Sequence, residues 1–235
     1  MMKSYFITGT DTGVGKTLVG GGIAGVLRRS GKKVGVLKPF ETGCSLMDGE
    51  FVPKDALFLK DISGCPDDID VICPYRMEHP LAPGVAAEIE GVAIDLDRVK
   101  ATFQGMEKKY EKVLVEGAGG LMVPVTKDLL TSDLIKKLDL PLIIVSRLSL
   151  GTINHTLLTV KYALACGIQV AGIILNHVTG ETGKAEETNP DVIKRFSKVP
   201  VLGQVPFISD EKRSDTGFIV DTIKDSIDLK SLGLL

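Results

Sequence analysis

A chain of 235 residues, 44% hydrophobic and 25% charged, carries enough apolar material for a large core and excludes extended disorder. Its 28 basic and 30 acidic residues leave a net charge of −2 without long blocks of either sign, which argues against a nucleic-acid partner or a polybasic membrane tether. Scattered cysteines, unpaired histidines, no apolar run of about 18 residues and no leader before Ser4 lead us to expect a cytoplasmic one-domain chain over residues 1–235, with no structural zinc and no membrane span.

In chain order, residues 4–8 read as a buried strand, apolar on both faces, and run straight into Gly9-Thr10-Asp11-Thr12-Gly13-Val14-Gly15-Lys16-Thr17. This is a phosphate-binding loop. Its glycines, Gly13 and Gly15 around Val14, let backbone N–H groups turn toward phosphate oxygens, Lys16 reaches the β- and γ-phosphates, and Thr17 offers a hydroxyl to Mg²⁺. It is a variant, because Thr10 stands where the usual spacing has glycine and Gly9 lies one residue further out. A helix follows over 16–29, with Gly31 as its C-cap; the triplet Gly20-Gly21-Gly22 inside it suggests close approach to the sheet.

The next strand, 33–37, ends in Lys38-Pro39-Phe40-Glu41-Thr42-Gly43. If it lies near the first, Lys38 enters the same anion-binding crevice; otherwise it is a surface lysine ending a strand. The stretch 44–90 is less regular and reads as excursions over the carboxyl edge of the sheet, with Asp55 opening a helical run, as a metal ligand or simply as an acid in a first helical turn. A helix at 95–110 leads to a strand at 112–115 and then Glu116-Gly117-Ala118-Gly119-Gly120, an acid at a strand end that can hold Mg²⁺ or be a solvated or capping carboxylate.

A helix at 132–138, a strand at 142–145, a helix at 152–166 capped by Gly167, and strands at 170–175 and 201–205 complete the pattern. Asn176, ending the fifth strand, can meet the N6/N7 edge of adenine or satisfy a turn. No Asn-Lys-x-Asp guanine-reading motif occurs, which favours ATP over GTP. Strand and helix alternate, so the expected class is α/β: a mainly parallel sheet flanked by helices, of the P-loop NTPase type, with ligands beyond the carboxyl ends of the strands.

Four segments together resemble the dethiobiotin synthetases: Gly9 to Thr17, Lys38-Pro39 to Thr42-Gly43, Glu116 to Gly120, and Leu150-Gly151-Thr152-Ile153-Asn154-His155-Thr156. The resemblance covers most of the chain, from Gly9 to about Phe207, and the longer phosphate loop is itself a family trait. It implies an ATP- and Mg²⁺-dependent cyclo-ligase that joins CO₂ to 7,8-diaminononanoate. It further implies phosphoryl and carbamate stabilisation by Lys16 and Lys38, and Mg²⁺ held by Thr17, Asp55 and Glu116. Thr12 and Thr42 would orient the diamine and carbamate, Gly117, Ala118 and Gly119 would approach through backbone, and Asn176, His177, Pro206 and Phe207 would border the nucleotide. The family works as a homodimer, and Gly151, Thr152, Ile153 and Asn154 match the segment that completes the diamine pocket of a neighbouring subunit. One departure stands out: Pro80-Leu81-Ala82-Pro83-Gly84 has glycine where the family commonly has histidine.

The competing enzyme reading is a partition- or metallochaperone-type switch ATPase of the same P-loop class. Such proteins usually carry an additional lysine early in the loop, at the place Asp11 holds here. A scaffold without turnover is the non-enzyme alternative, and the joint presence of Lys16, Thr17, Lys38, Asp55 and Glu116 argues against it.

Overall fold

The computed structural model describes residues 4–235, so the first three residues of the expected span lie outside it. Strand β1 (Ser4–Gly9) leads to helix α1 (Lys16–Arg29), then β2 (Val34–Leu37) and β3 (Phe40–Thr42). Next come β4 (Ser45–Met47), β5 (Glu50–Val52), α2 (Lys54–Ser63), α3 (Ile69–Ile72), β6 (Tyr75–Met77), α4 (Pro83–Glu90) and α5 (Leu96–Lys109). The remainder alternates: β7 (Lys112–Glu116), α6 (Thr131–Leu138), β8 (Leu142–Arg147), α7 (Thr152–Ala165), β9 (Val170–Asn176), α8 (Lys184–Ser197) and β10 (Val201–Val205). A 3-10 turn (Asp210–Ser214) and α9 (Thr216–Ser226) follow.

The six apolar runs pair in one wholly parallel sheet, in the order β10-β9-β8-β1-β7-β2. Every residue of β1, β2 and β7 is buried, as expected for strands covered on both faces. This is the α/β class read from the alternation. Strand β2 lies one strand away from β1, with β7 between them, and Lys38 enters the same crevice as Lys16. Lys38 and Glu116 are therefore the neighbours, continuing the register that pairs Leu37 with Val115.

The stretch 44–90 is more ordered than its composition suggested. It holds the β4–β5 hairpin, three helices and β6, which pairs in parallel with β3 in a small separate sheet. Helices α8 and α9 are also additional to the sequence reading; α8 is strongly polar and contains Pro190, which hides its periodicity. The glycine triplet in α1 needs revision too. Only Gly20 faces the sheet, where an added Cβ would stand 3.1 Å from Ile7; Gly21 lies against Phe58 and Ile62 of α2, and Gly22 against Ile223 of α9. Absent side chains thus let α1 seat two helices as well as a strand.

Candidate active site

The loop between β1 and α1 turns on Gly13 at φ +74° and Gly15 at φ +92°, a left-handed backbone that strains any residue with a Cβ. A Cβ on Gly15 would also collide with the side-chain amide of Asn176. That amide donates to the Val14 carbonyl at 2.9 Å, so the last residue of β9 braces the loop. Thr10 N–H donates to the Val145 carbonyl at 3.0 Å, tying the loop to β8 as well. The first turn of α1 consequently opens into a cavity of about 880 Å³ whose wall includes Thr12, Gly13, Gly15, Lys16 and Thr17. Free N–H groups at a helix start, with Lys16 beside them, make an anion cradle.

Four side chains from separate parts of the chain meet beside that cradle. Lys38 Nζ lies 2.6 Å from Glu116 Oε1 and 3.2 Å from Asp55 Oδ2. The Thr17 hydroxyl donates to the same Glu116 oxygen at 2.7 Å. Burial alone would lower Lys38, but the Glu116 and Asp55 carboxylates outweigh it and hold the ammonium above its ordinary range. Burial pulls Lys16 below its ordinary range, with Glu116 opposing and Lys38 reinforcing the shift. Glu116 Oε2 is buried without a hydrogen-bond partner among the described residues. An orphaned carboxylate oxygen, a neighbouring hydroxyl and the half-exposed Asp55 form a hard-oxygen set of the kind Mg²⁺ uses together with nucleotide phosphates.

The remaining sequence-derived positions divide. Thr42, Gly117, Ala118 and Gly119 line the cavity with Asn176, whose Nδ2 is engaged at Val14. Gly117 owes its identity to packing, since a Cβ would stand 2.8 Å from the Phe6 ring. His177, Pro206 and Phe207 lie outside the cavity lining, while Val178 and Arg213 belong to it. Gly151, Ile153 and Asn154 are also elsewhere, on a surface hollow shared with Leu150, Leu157 and Leu158. Thr152 is fully buried, and its hydroxyl bonds to Ser146 and the Arg147 carbonyl, so its side chain faces the interior.

Two residues inside the quoted motifs were given no role by the sequence. Asp11 forms an ion pair with Arg147, a contact that exists because β8 lies beside β1. Glu41 is buried and accepts the N–H of Asp55 and of Ala56 on its two oxygens, at 2.9 Å each. Its place after Lys38-Pro39-Phe40 was legible, but its partners are 14 and 15 residues away across a loop. Gly84 is explained by its surroundings. A Cβ there would stand 2.7 Å from the Thr126 carbonyl oxygen, so the turn at 124–126 occupies the space a side chain would need.

Comparison with known proteins agrees with this geometry. A family described as an AAA domain matches residues 3–214. By fold, the chain is similar to a ParA family ATPase from Chlorobium tepidum (TM-score 0.60, 15% identity, 99% of both chains) and to the MinD cell division protein of Aquifex aeolicus (TM-score 0.54, 16% identity, 95% and 96%). At those identities the likeness concerns the fold alone. In sequence the chain is 42% identical to the ATP-dependent dethiobiotin synthetase BioD of Thermodesulfovibrio yellowstonii, over 99% of both chains. It is 43% identical to that of Bacillus licheniformis (97% of this chain, 94% of the relative) and 41% to that of Bacillus subtilis strain 168 (98% and 97%). With this identity over nearly its whole length, and with Lys16, Lys38 and Glu116 gathered at one phosphate cradle, the chain belongs to the ATP-dependent dethiobiotin synthetase family.

Proposed function

We propose that this enzyme closes a ureido ring at the expense of ATP. One amine of 7,8-diaminononanoate takes up CO₂ and releases a proton, giving a carbamate. A carbamate oxygen attacks the γ-phosphorus and ADP departs, leaving a carbamic-phosphoric anhydride. The second amine then attacks the carbonyl carbon, the C–O bond to phosphate breaks, a proton is lost, and dethiobiotin forms. The observation that carries this reading is the pair of buried lysines facing one cavity, Lys38 held cationic by two carboxylates and Lys16 at the helix start. Fixed positive charge in a water-poor site is suited to the charge that develops on a transferring phosphoryl group.

Thr12 and Thr42 border the cavity and orient the diamine and its carbamate, with backbone from Gly117, Ala118 and Gly119 close by. Asn176 faces the base, beside His177, Pro206 and Phe207. Thr17, Asp55 and Glu116 would hold Mg²⁺, which supplies charge neutralisation at the phosphates. Residues 1–235 act as one cytoplasmic domain, and no helix among the described residues is long and apolar enough to cross a membrane. Two chains form a homodimer. Leu150 and Leu158 on the α7 side are 87% and 60% exposed around the hollow with Gly151, Ile153 and Asn154, an apolar patch suited to a second copy. There the N-terminal turn of α7 completes the diamine pocket of the neighbour.

The test is ADP release measured with and without diamine and bicarbonate. A ligase releases ADP only when both are present. Equal release without them would favour a switch ATPase.

A further inference from the structure

Asp55 reaches Lys38 only because the first turn of α2 sits where it does. That turn begins after Pro53, whose side chain offers no acceptor, and no side-chain cap is made from the N-cap position. The N–H groups of Asp55 and Ala56 would be orphans of the kind every helix start has. Glu41 satisfies both. It lies on β3, three residues after Lys38, with its side chain among the buried acids, and each oxygen takes one N–H at 2.9 Å. A two-oxygen grip at a helix start constrains the turn in both translation and rotation, which a single bond does not. One end of the grip is β3, which carries Thr42 and begins two residues after Lys38, and the other is the residue whose Oδ2 lies 3.2 Å from Lys38 Nζ.

We propose that Glu41 is a positioning residue for the metal–nucleotide site, acting through Asp55 by clamping the start of α2 to β3. It holds the Asp55 carboxylate in reach of Lys38 and of the cation, while its own oxygens stay occupied by backbone. The proposal rests on the reading of Asp55 as a Mg²⁺ ligand, and the experiment separates the two.

The full-length protein is compared with Glu41→Gln, Asp55→Ala and the double variant. In metal-free protein, amide exchange followed by NMR should be faster at Asp55 and Ala56 in Glu41→Gln and unchanged along α1. Affinity for Mn²⁺ in the presence of ADP, read by EPR, should fall about tenfold in Glu41→Gln, the range found when a group supporting a metal ligand is removed. In the Asp55→Ala background Glu41→Gln should change Mn²⁺ affinity by no more than about twofold, since residues acting as one unit are not additive. Unchanged Mn²⁺ affinity in Glu41→Gln, with Asp55→Ala weakened, overturns the proposal and leaves Asp55 as a ligand. A full additive loss in the double variant also overturns it. If Asp55→Ala alone leaves Mn²⁺ affinity intact, the ligand reading of Asp55 fails, and the route through it fails as well.

Discussion

Lys38 is an ammonium with almost no access to water, and such a charge is tolerable only with partners close enough to replace its hydration. Glu116 and Asp55 supply them, and in doing so keep the lysine protonated across the range in which an enzyme of this kind works. The same carboxylates leave Lys38 aimed at the cavity beside Lys16. Lys38→Ala is expected to lower kcat by about 10² to 10³, the usual loss when one donor to a charged transition state is removed. Affinity for the diamine should change less. Rapid-quench measurement of product at saturating ATP checks this, with circular dichroism to establish that the variant is folded, because Glu116 also loses its charged partner and keeps only the Thr17 hydroxyl. Near-normal turnover would exclude Lys38 from phosphoryl transfer.

Among the elements, α1 has the most to reconcile, since it starts at the phosphate cradle and packs α2 and α9 on its glycines. Helix propensity alone would favour alanine at every one of them, by about 1 kcal/mol each. At Gly22 packing opposes this: a Cβ would collide with Ile223, whose own Cβ is 3.0 Å away, and overfilling a tight contact costs about 1–3 kcal/mol. A Cβ added at Gly105 in α5 would meet nothing within 4 Å beyond its own helix among the described residues, and the backbone there is helical. Gly22→Ala should therefore lower Tm and Gly105→Ala should raise it, the latter by about 2–4 °C. Calorimetry of the two variants is the check, and a stabilised Gly22→Ala would mean that α9 is not seated on α1 as described.

At the scale of the whole molecule the question is whether the cavity of one chain is sufficient. Gly151, Ile153 and Asn154 lie on a separate hollow among exposed leucines, so a single chain leaves them apart from the lysines. The proposed shared site would resolve that separation. Mixing Lys16→Ala subunits with Asn154→Trp subunits should restore part of the wild-type activity, because each mixed dimer then holds one site with both halves intact. Asn154 is preferable to Gly151 for the block, since any side chain at φ +93° strains the N-cap itself. No recovery after confirmed subunit exchange would show that each chain builds its whole pocket.

The loop from Gly9 to Thr17 was legible in sequence because a phosphate cradle is made by consecutive residues, whose glycines and lysine act through local backbone geometry. The same holds for the six buried strands, whose apolar runs need no partner to be recognised, and for α1, α5, α6 and α7. Helices α8 and α9 and the small strands of 44–90 escaped, since short or polar elements owe their stability to what they pack against. The sequence also placed Lys38, Asp55 and Glu116 each at the end or start of an element, with its role open in every case. Only the tertiary structure set β7 between β2 and β1, and that order puts Glu116 between Thr17 and Lys38. It likewise brought Glu41 to the start of α2 and Asp11 to Arg147. Strand order follows from the burial of the whole sheet rather than from any local propensity, so contacts across it are absent from every window of the chain read alone.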